Sequence, residues 1–418
     1  MSNRHGKADI VVIGAGIVGL ATAWALIERG REVTVLDPGP PGGQASSGNA
    51  ATLAGYAVEP LAHPGLLTQL PALLLSPSSP FHLRWRHLPR LAPWLWRFLA
   101  AATPARTAAA TRTLHHLLAP AMDDWQALHA TLGTGTSATA LHRRGALTFF
   151  RQRRHWQAER DAYIARERLG IPQRYLDARQ VAELEPALEG VAQGGVHFLA
   201  AGHLADPQAL ATRLASRLAE RGVDFRTARV TGLDGAGGRV RIDSDLGSWL
   251  AEHAIVAAGP WSATLARCAG DRIPLDVERG YHLEFPDAST RLSRPCNPAE
   301  NAFYMTPLAG RLRIAGTVEL GHPRDPANPR RLAYLRRHGE ALLGPLGPAS
   351  HEWLGLRPSL PDSLPVIGPA RLPGVTYAFG HGHLGLTLAP TTGRLVAESL
   401  SGASPSWLEA CHPQRFTR

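Results

Sequence analysis

Hydrophobic and polar positions along the chain follow two rhythms. Asp9 to Ile13 is a short, mainly apolar run, the mark of a strand buried on both faces of a parallel sheet. Gly14-Ala15-Gly16-Ile17-Val18-Gly19 follows, then a helical stretch to Arg29 closed by Gly30. A second strand, Glu32 to Leu36, ends in Asp37. From about residue 60 to 190 the pattern predicts mainly helices and loops rich in Ala, Leu and Arg. Pro207 to Arg221 predicts a helix, with proline in its first turn and Gly222 as its stop. Strands are predicted at 224–226, 229–233, 239–244 and 248–256, the last running into Ala257-Ala258-Gly259-Pro260-Trp261. A further β-rich segment holds 279–285, 302–307 and 311–318. The region Leu354 to Leu400 reads as a Gly/Pro-rich loop, a strand at 375–379, a glycine loop and a helix. No internal repeat is visible.

Length and composition narrow the class. A chain of 418 residues exceeds one compact core, so two domains are expected. Apolar residues make up 44% and charged residues 19%, an ordinary globular balance. The net charge is +10, yet Lys7 is the only lysine and the arginines are spread along the chain, often beside Asp or Glu. Nucleic-acid binding needs a patch, so that class is set aside. Cys268, Cys296 and Cys411 are far apart and odd in number, giving neither a disulfide framework nor zinc spacing. A reducing cytoplasm fits. Polar and charged residues fill Met1 to Lys7, so no secretory leader is expected. The uncharged stretch from Pro60 to Leu83 contains five prolines, which excludes a membrane-spanning helix of about 20 residues.

The first motif has a clear physical reading. Gly14 permits the tight turn out of the strand, Gly16 lets a pyrophosphate approach, and Gly19 lets helix and strand pack closely. Ile17 and Val18 open a helix whose unpaired N–H groups and dipole favour phosphate. Asp37, 18 residues beyond Gly19, is spaced to hydrogen-bond a ribose hydroxyl. These residues predict a dinucleotide without choosing which one.

Later blocks make the choice. GGQASSGNAAT at 42–52, RVTGL around Val230, VAAGPWS at 256–262, GLRPSLPDSLPVIGP at 355–369 and GHGHLGLTLAPTTG at 380–393 occur in order. With them the chain resembles the D-amino-acid oxidase-like (DAO) FAD-dependent oxidoreductase superfamily, most closely bacterial D-amino-acid dehydrogenase of the small-subunit type, hydroxy-D-proline dehydrogenase and glycine oxidase. The resemblance implies an α/β fold: a Rossmann-like FAD-binding domain (GR2-type) with an interleaved α+β substrate domain on an antiparallel sheet. The expected division is 1–58, 200–262 and 350–418 for FAD, with 59–199 and 263–349 for substrate. Non-covalent FAD would meet Asp37 and Pro38 at the ribose and the backbone of Val230 at the adenine. Ala45, Ser46, Ser47, Asn49, Ala50, Ala51 and Thr52 would line pyrophosphate and flavin. Gly259 and Trp261 would lie near the cofactor. Gly380, His381, Gly382, His383, Leu384, Gly385, Leu386 and Thr387 would wrap the pyrimidine edge, where a helix N-terminus stabilises charge on the reduced ring.

The same resemblance assigns Arg357 as the fork that clamps a substrate carboxylate. Tyr304 would meet the same carboxylate, His383 would touch substrate, and Tyr281 is a further pocket residue. His381 and His383 show no convergent third ligand, so no metal is expected. The implied reaction is hydride transfer from Cα of a D-amino acid, with cyclic D-imino acids such as D-proline or 4-hydroxy-D-proline a specific option, and no dedicated general base. O₂ or a respiratory quinone would accept the electrons. Alternatives are a glycine/sarcosine-type oxidase and one subunit of a hetero-oligomeric dehydrogenase; homo-oligomers stay open. Phe81 to Leu99 interleaves arginines with Trp85, Trp94 and Trp96, which leaves two readings: peripheral contact with the inner face of the cytoplasmic membrane, or ordinary covering helices.

Overall fold

The computed structural model describes residues 6–66, 79–133 and 136–417. Residues 67–78 of the proline-rich stretch lie outside them. Among the described residues no helix is long and apolar enough to cross a membrane.

Two large sheets organise the chain. The first has the parallel order Asp224–Thr227, Val33–Asp37, Gly6–Ile13 and Gly247–Val256. The long strand Gly247–Val256 changes partner along its length. Its first half pairs with Arg239–Ser244, which continues to Val230–Ala236 as an antiparallel meander. Its second half pairs in parallel with Val375–Phe379. Helix Ile17–Ile27 covers this sheet and is crossed by helix Gly385–Leu400, whose side chains are mostly buried. The crossing is tight because Gly393 lacks a side chain: a Cβ there would lie 2.5 Å from the Ala21 carbonyl oxygen. The last helix therefore locks the first.

The second sheet is mainly antiparallel. It runs His351–Ser359, Asp276–Phe285, Arg311–Leu320, Phe303–Leu308, Cys296–Pro298, Ala146–Phe150, Gly194–Phe198 and Gln173–Asp177. One of its faces packs Phe303, Met305, Leu312, Ile314, Leu283 and Phe285 into a core with helix Pro329–Leu343. The opposite face carries polar residues and turns toward the first sheet.

The structure corrects several expectations. Ala146–Phe150, Gln173–Asp177 and Gly194–Phe198 are strands within a region read as helices and loops. His351–Ser359 is a strand, not a loop, despite Pro358. It stands at the sheet edge, where a missing N–H costs no ladder bond. This strand, at the start of the 350–418 segment, is paired throughout with Asp276–Phe285. Helices Pro104–Leu118 and Ala121–Ala130, placed with the substrate segments, bury Leu114, Leu117, Leu118, Trp125 and Leu128 in the core that holds the glycine-turn helix.

Phe81 to Leu99 forms a short strand, Phe81–Leu83, and a helix, Leu88–Ala101. Leu91 and Trp94 pack on Leu83 and Leu320, while Trp85 and Trp96 are 57% and 74% exposed. Three of its arginines are paired with acids of the same chain: Arg84 with Glu319 and Asp325, Arg86 with Asp325, and Arg90 with Asp276.

Candidate active site

Strand Gly6–Ile13 ends at Gly14, whose φ is +116°. A Cβ on Gly14 would lie 2.4 Å from the Ala257 carbonyl oxygen, and one on Gly19 would lie 1.9 Å from the Gly14 oxygen. Close protein packing explains both glycines. Gly16 differs: a Cβ there would meet only Ser46 Oγ, at 3.4 Å. Its missing side chain leaves free space at the start of helix Ile17–Ile27, which fits the approach of a pyrophosphate. Ile17 N–H donates to Ser46 Oγ at 2.9 Å, so the loop residue and the helix start are already joined. Val18 follows in the same turn.

Asp37 closes the second strand. Its carboxylate accepts from Ala15 N–H at 2.7 Å and Gly39 N–H at 2.8 Å, which fixes it beside the glycine turn, with exposed Pro38 next to it. Ala228 N–H donates to the Asp37 carbonyl, which brings the strand beginning at Val230 alongside. Gly259, at φ +52°, opens the turn after Ala257. Trp261 in that turn is 49% exposed.

The loop from Ala45 to Thr52 is held by the second sheet. Arg313 Nη1 donates to the carbonyls of Ser47 and Asn49 at 2.8 and 2.7 Å. His282 Nδ1 donates to the Gly48 carbonyl at 2.9 Å, and Thr306 Oγ1 to the Ala50 carbonyl at 2.8 Å. Four consecutive carbonyls are thus turned toward the antiparallel sheet. A carbonyl can only accept, so His282 carries its proton on Nδ1, and its Nε2 accepts from His351 at 3.0 Å. Burial and the charge of Arg313 push the His282 pKa down to about 2, so it stays neutral. Glu284 holds Arg313 at 2.6 Å and Arg311 at 2.7 Å. Ligand atoms of His282, Glu284 and His351 lie close enough to share an ion, but both guanidiniums oppose a cation there. Within the loop, Asn49 Oδ1 accepts from Ala51 N–H at 2.8 Å, which supports Ala51 at φ +59°. Thr52 Oγ1 donates to the Ala50 carbonyl.

Gly380 and Gly382, at φ +81° and +54°, bend the chain into helix Gly385–Leu400, whose start carries no side-chain cap. Its first turn is anchored from both sides. Trp125 Nε1 donates to the carbonyls of Leu386 and Thr387, and Thr387 Oγ1 accepts from Ala54 N–H. His381 turns into its own helix, 2.9 Å from Thr392 Oγ1, and burial lowers its pKa to about 4. His383, next to Leu384, points elsewhere, to Glu278. The two histidines do not converge.

Arg357 sits directly across from Glu278 in the paired strands. Its guanidinium lies over Gly280, where a Cβ would come within 2.3 Å of Cζ, and Nη1 donates to the Thr317 carbonyl at 2.9 Å. Among the described residues its other N–H groups have no partner. Tyr304 shares this face of the sheet and meets Tyr56, hydroxyl to hydroxyl, at 3.0 Å. Burial raises both phenols above their ordinary values, so both remain neutral donors. Tyr281 faces the other way. It is buried in the apolar core, bonded to Glu319 and to Asn328 N–H, and takes no part in this surface.

The structure therefore gathers Arg357, Tyr304 and His383 and removes Tyr281. It adds Glu278, His282, Thr306, Arg313 and Tyr56. Alternation carried a signal for some of them: Glu278, Gly280, His282 and Glu284 recur at every second position against Tyr281, Leu283 and Phe285.

The FAD dependent oxidoreductase (DAO) family profile matches residues 9–399. The chain is 36% identical to a D-amino-acid oxidase of Bradyrhizobium diazoefficiens, across 97% of this chain and 98% of that one. It is 33% identical to D-amino acid dehydrogenase 2 of Pseudomonas aeruginosa, across 95% and 96%. Its fold is similar to that of glycine oxidase from Geobacillus kaustophilus, with a TM-score of 0.78 over 98% of this chain and 99% of that one, at 22% identity.

Proposed function

The chain belongs to the FAD dependent oxidoreductase family, and on that footing we propose that it oxidises D-amino acids at Cα. The observation that carries this reading is the Arg357 guanidinium. It is a half-buried cation with unused donors, backed by Gly280 and flanked by a face that also presents Tyr304. Such a fork holds a carboxylate through paired charge-assisted bonds. Family membership makes the cofactor FAD, and the open space at Gly16, fixed Asp37 and two helix starts without a side-chain cap suit it. Bound FAD supplies the electron sink, accepting the Cα hydrogen as hydride.

The protein's own residues position the substrate. Arg357 fixes the carboxylate, and neutral Tyr304 donates to it from strand Phe303–Leu308 on the same face of the sheet. Fixing one end of a small substrate limits where Cα–H can point, and such orientation lowers barriers by up to about 7–11 kcal/mol in ideal cases. The imine product leaves to hydrolyse in water, or persists when the substrate is cyclic, as with D-proline or 4-hydroxy-D-proline. FAD is held non-covalently in this reading: Cys296 and Cys411 are buried in apolar cores and Cys268 is exposed on helix Ser262–Cys268.

One experiment tests the reading. Anaerobic titration with D-, L- and N-methyl amino acids should bleach the flavin spectrum with the D series, cyclic members included. Arg357→Ala should then require about a hundredfold more of every carboxylate substrate. A variant with unchanged substrate dependence would remove the clamp, and bleaching by the L or N-methyl series alone would remove the D-amino-acid assignment. Comparing O₂ with a quinone in turnover reads the electron acceptor.

A further inference from the structure

Glu278 has no role in the reading above, yet it is the least ordinary residue on this face. It is only 4% exposed, and its Oε2 makes no hydrogen bond. A buried carboxylate oxygen without a donor is costly, so native proteins rarely leave one. His383 Nε2 is 3.2 Å away but not angled to bond, and burial lowers the His383 pKa from its ordinary value, so the ring brings no charge. Arg357 faces Glu278 across the strands but spends Nη1 on the Thr317 carbonyl. Two hydroxyls on the same patch, Thr317 Oγ1 and Ser359 Oγ, are also buried without partners. A carboxylate oxygen, guanidinium donors and two hydroxyls on these paired strands thus stand without protein partners.

We propose that Glu278 holds the amine end of the substrate, so that Arg357 and Glu278 together read a zwitterion. The inference rests on reading this face as an amino-acid site. An ammonium group donates to Oε2 while the carboxylate takes the free guanidinium donors. Charge complementarity at both ends favours a zwitterion over amine-free acids and carboxylate-free amines. His383 packs beside Glu278 and orients it.

The test compares two probes in the FAD-loaded protein. D-alanine affinity is read from the concentration dependence of anaerobic flavin reduction. Propanoate, the same acid without its amine, is read from its perturbation of the oxidised flavin spectrum. In Glu278→Gln the D-alanine dissociation constant should rise about tenfold or more, while propanoate should bind as tightly as before or tighter, because Arg357 loses a neighbouring negative charge. Glu278→Asp should recover part of the D-alanine affinity. Parallel weakening of both probes, or no change in either, overturns the proposal. A wild-type flavin that D-alanine reduces while Glu278→Gln behaves identically rejects the amine subsite alone. A wild-type flavin reduced by no D-amino acid rejects the subsite together with the reading beneath it.

Discussion

Arg313 binds two carbonyls through one nitrogen and Glu284 through its other two, while its neighbours His282 and Thr306 take the two carbonyls between and beyond. With its carbonyls drawn to the sheet, the loop turns away the groups that would repel a phosphate. Lysine keeps the charge but has no fork to span these acceptors. Arg313→Lys should therefore weaken FAD binding by about tenfold or more, read by flavin fluorescence on titrating the apoprotein. Thr306→Val removes one neutral bond, and about fivefold is expected. Equal affinity in both variants would mean that the loop holds its shape unaided. Arg357 and Tyr304 were legible in the sequence because each lies in a recognisable block. Tyr281 was misplaced by one step of the pleat, since neighbouring residues of a strand face opposite sides. The roles of Glu278 and Arg313 were not legible for another reason: alternation can put Glu278 on a face, but their partners are 79 positions away at Arg357 and more than 260 away in the loop, and only the folded register joins them.

Among the elements, helix Gly385–Leu400 is placed by its contact with helix Ile17–Ile27. Gly393→Val would drive a branched side chain into the Ala21 carbonyl. The expected result is a loss of about 1–3 kcal/mol of stability with weaker FAD retention, because both helix starts shift together. Thermal unfolding with and without added FAD checks this, and an unaltered Tm would show that the helices can separate freely. Parallel strands such as Val375–Phe379 were readable as apolar runs. Ala146–Phe150 was not, because five buried residues, four of them apolar, among Ala- and Leu-rich helices give no period to measure. In His351–Ser359, glycine and proline imitate a loop. Trp353 fills the space over Gly48 and Gly355, which no local pattern announces.

At the scale of the whole molecule, buried neutral histidines tie stability to pH. Burial leads the lowering of pKa in each case: about 3 for His203, about 4 for His253, about 2 for His282 and about 4 for His381. An unfolded histidine takes its proton near pH 6.5. Between that value and the folded values the unfolded chain binds more protons, so the contribution of these sites is complete above 6.5 and drains away as pH falls toward 4. The expected outcome is a Tm that is level near neutrality and drops steeply below pH 6. A flat profile from pH 7 to 5 would show that these rings are protonated in the fold. The mutual lock between the first and last helices has a separate consequence for synthesis. The ribosome releases the glycine turn hundreds of residues before the helix that presses on it, so a nascent chain carries half a cradle through most of its translation. Flavin capture belongs to the finished polypeptide, and a fragment truncated before residue 385 should emerge colourless.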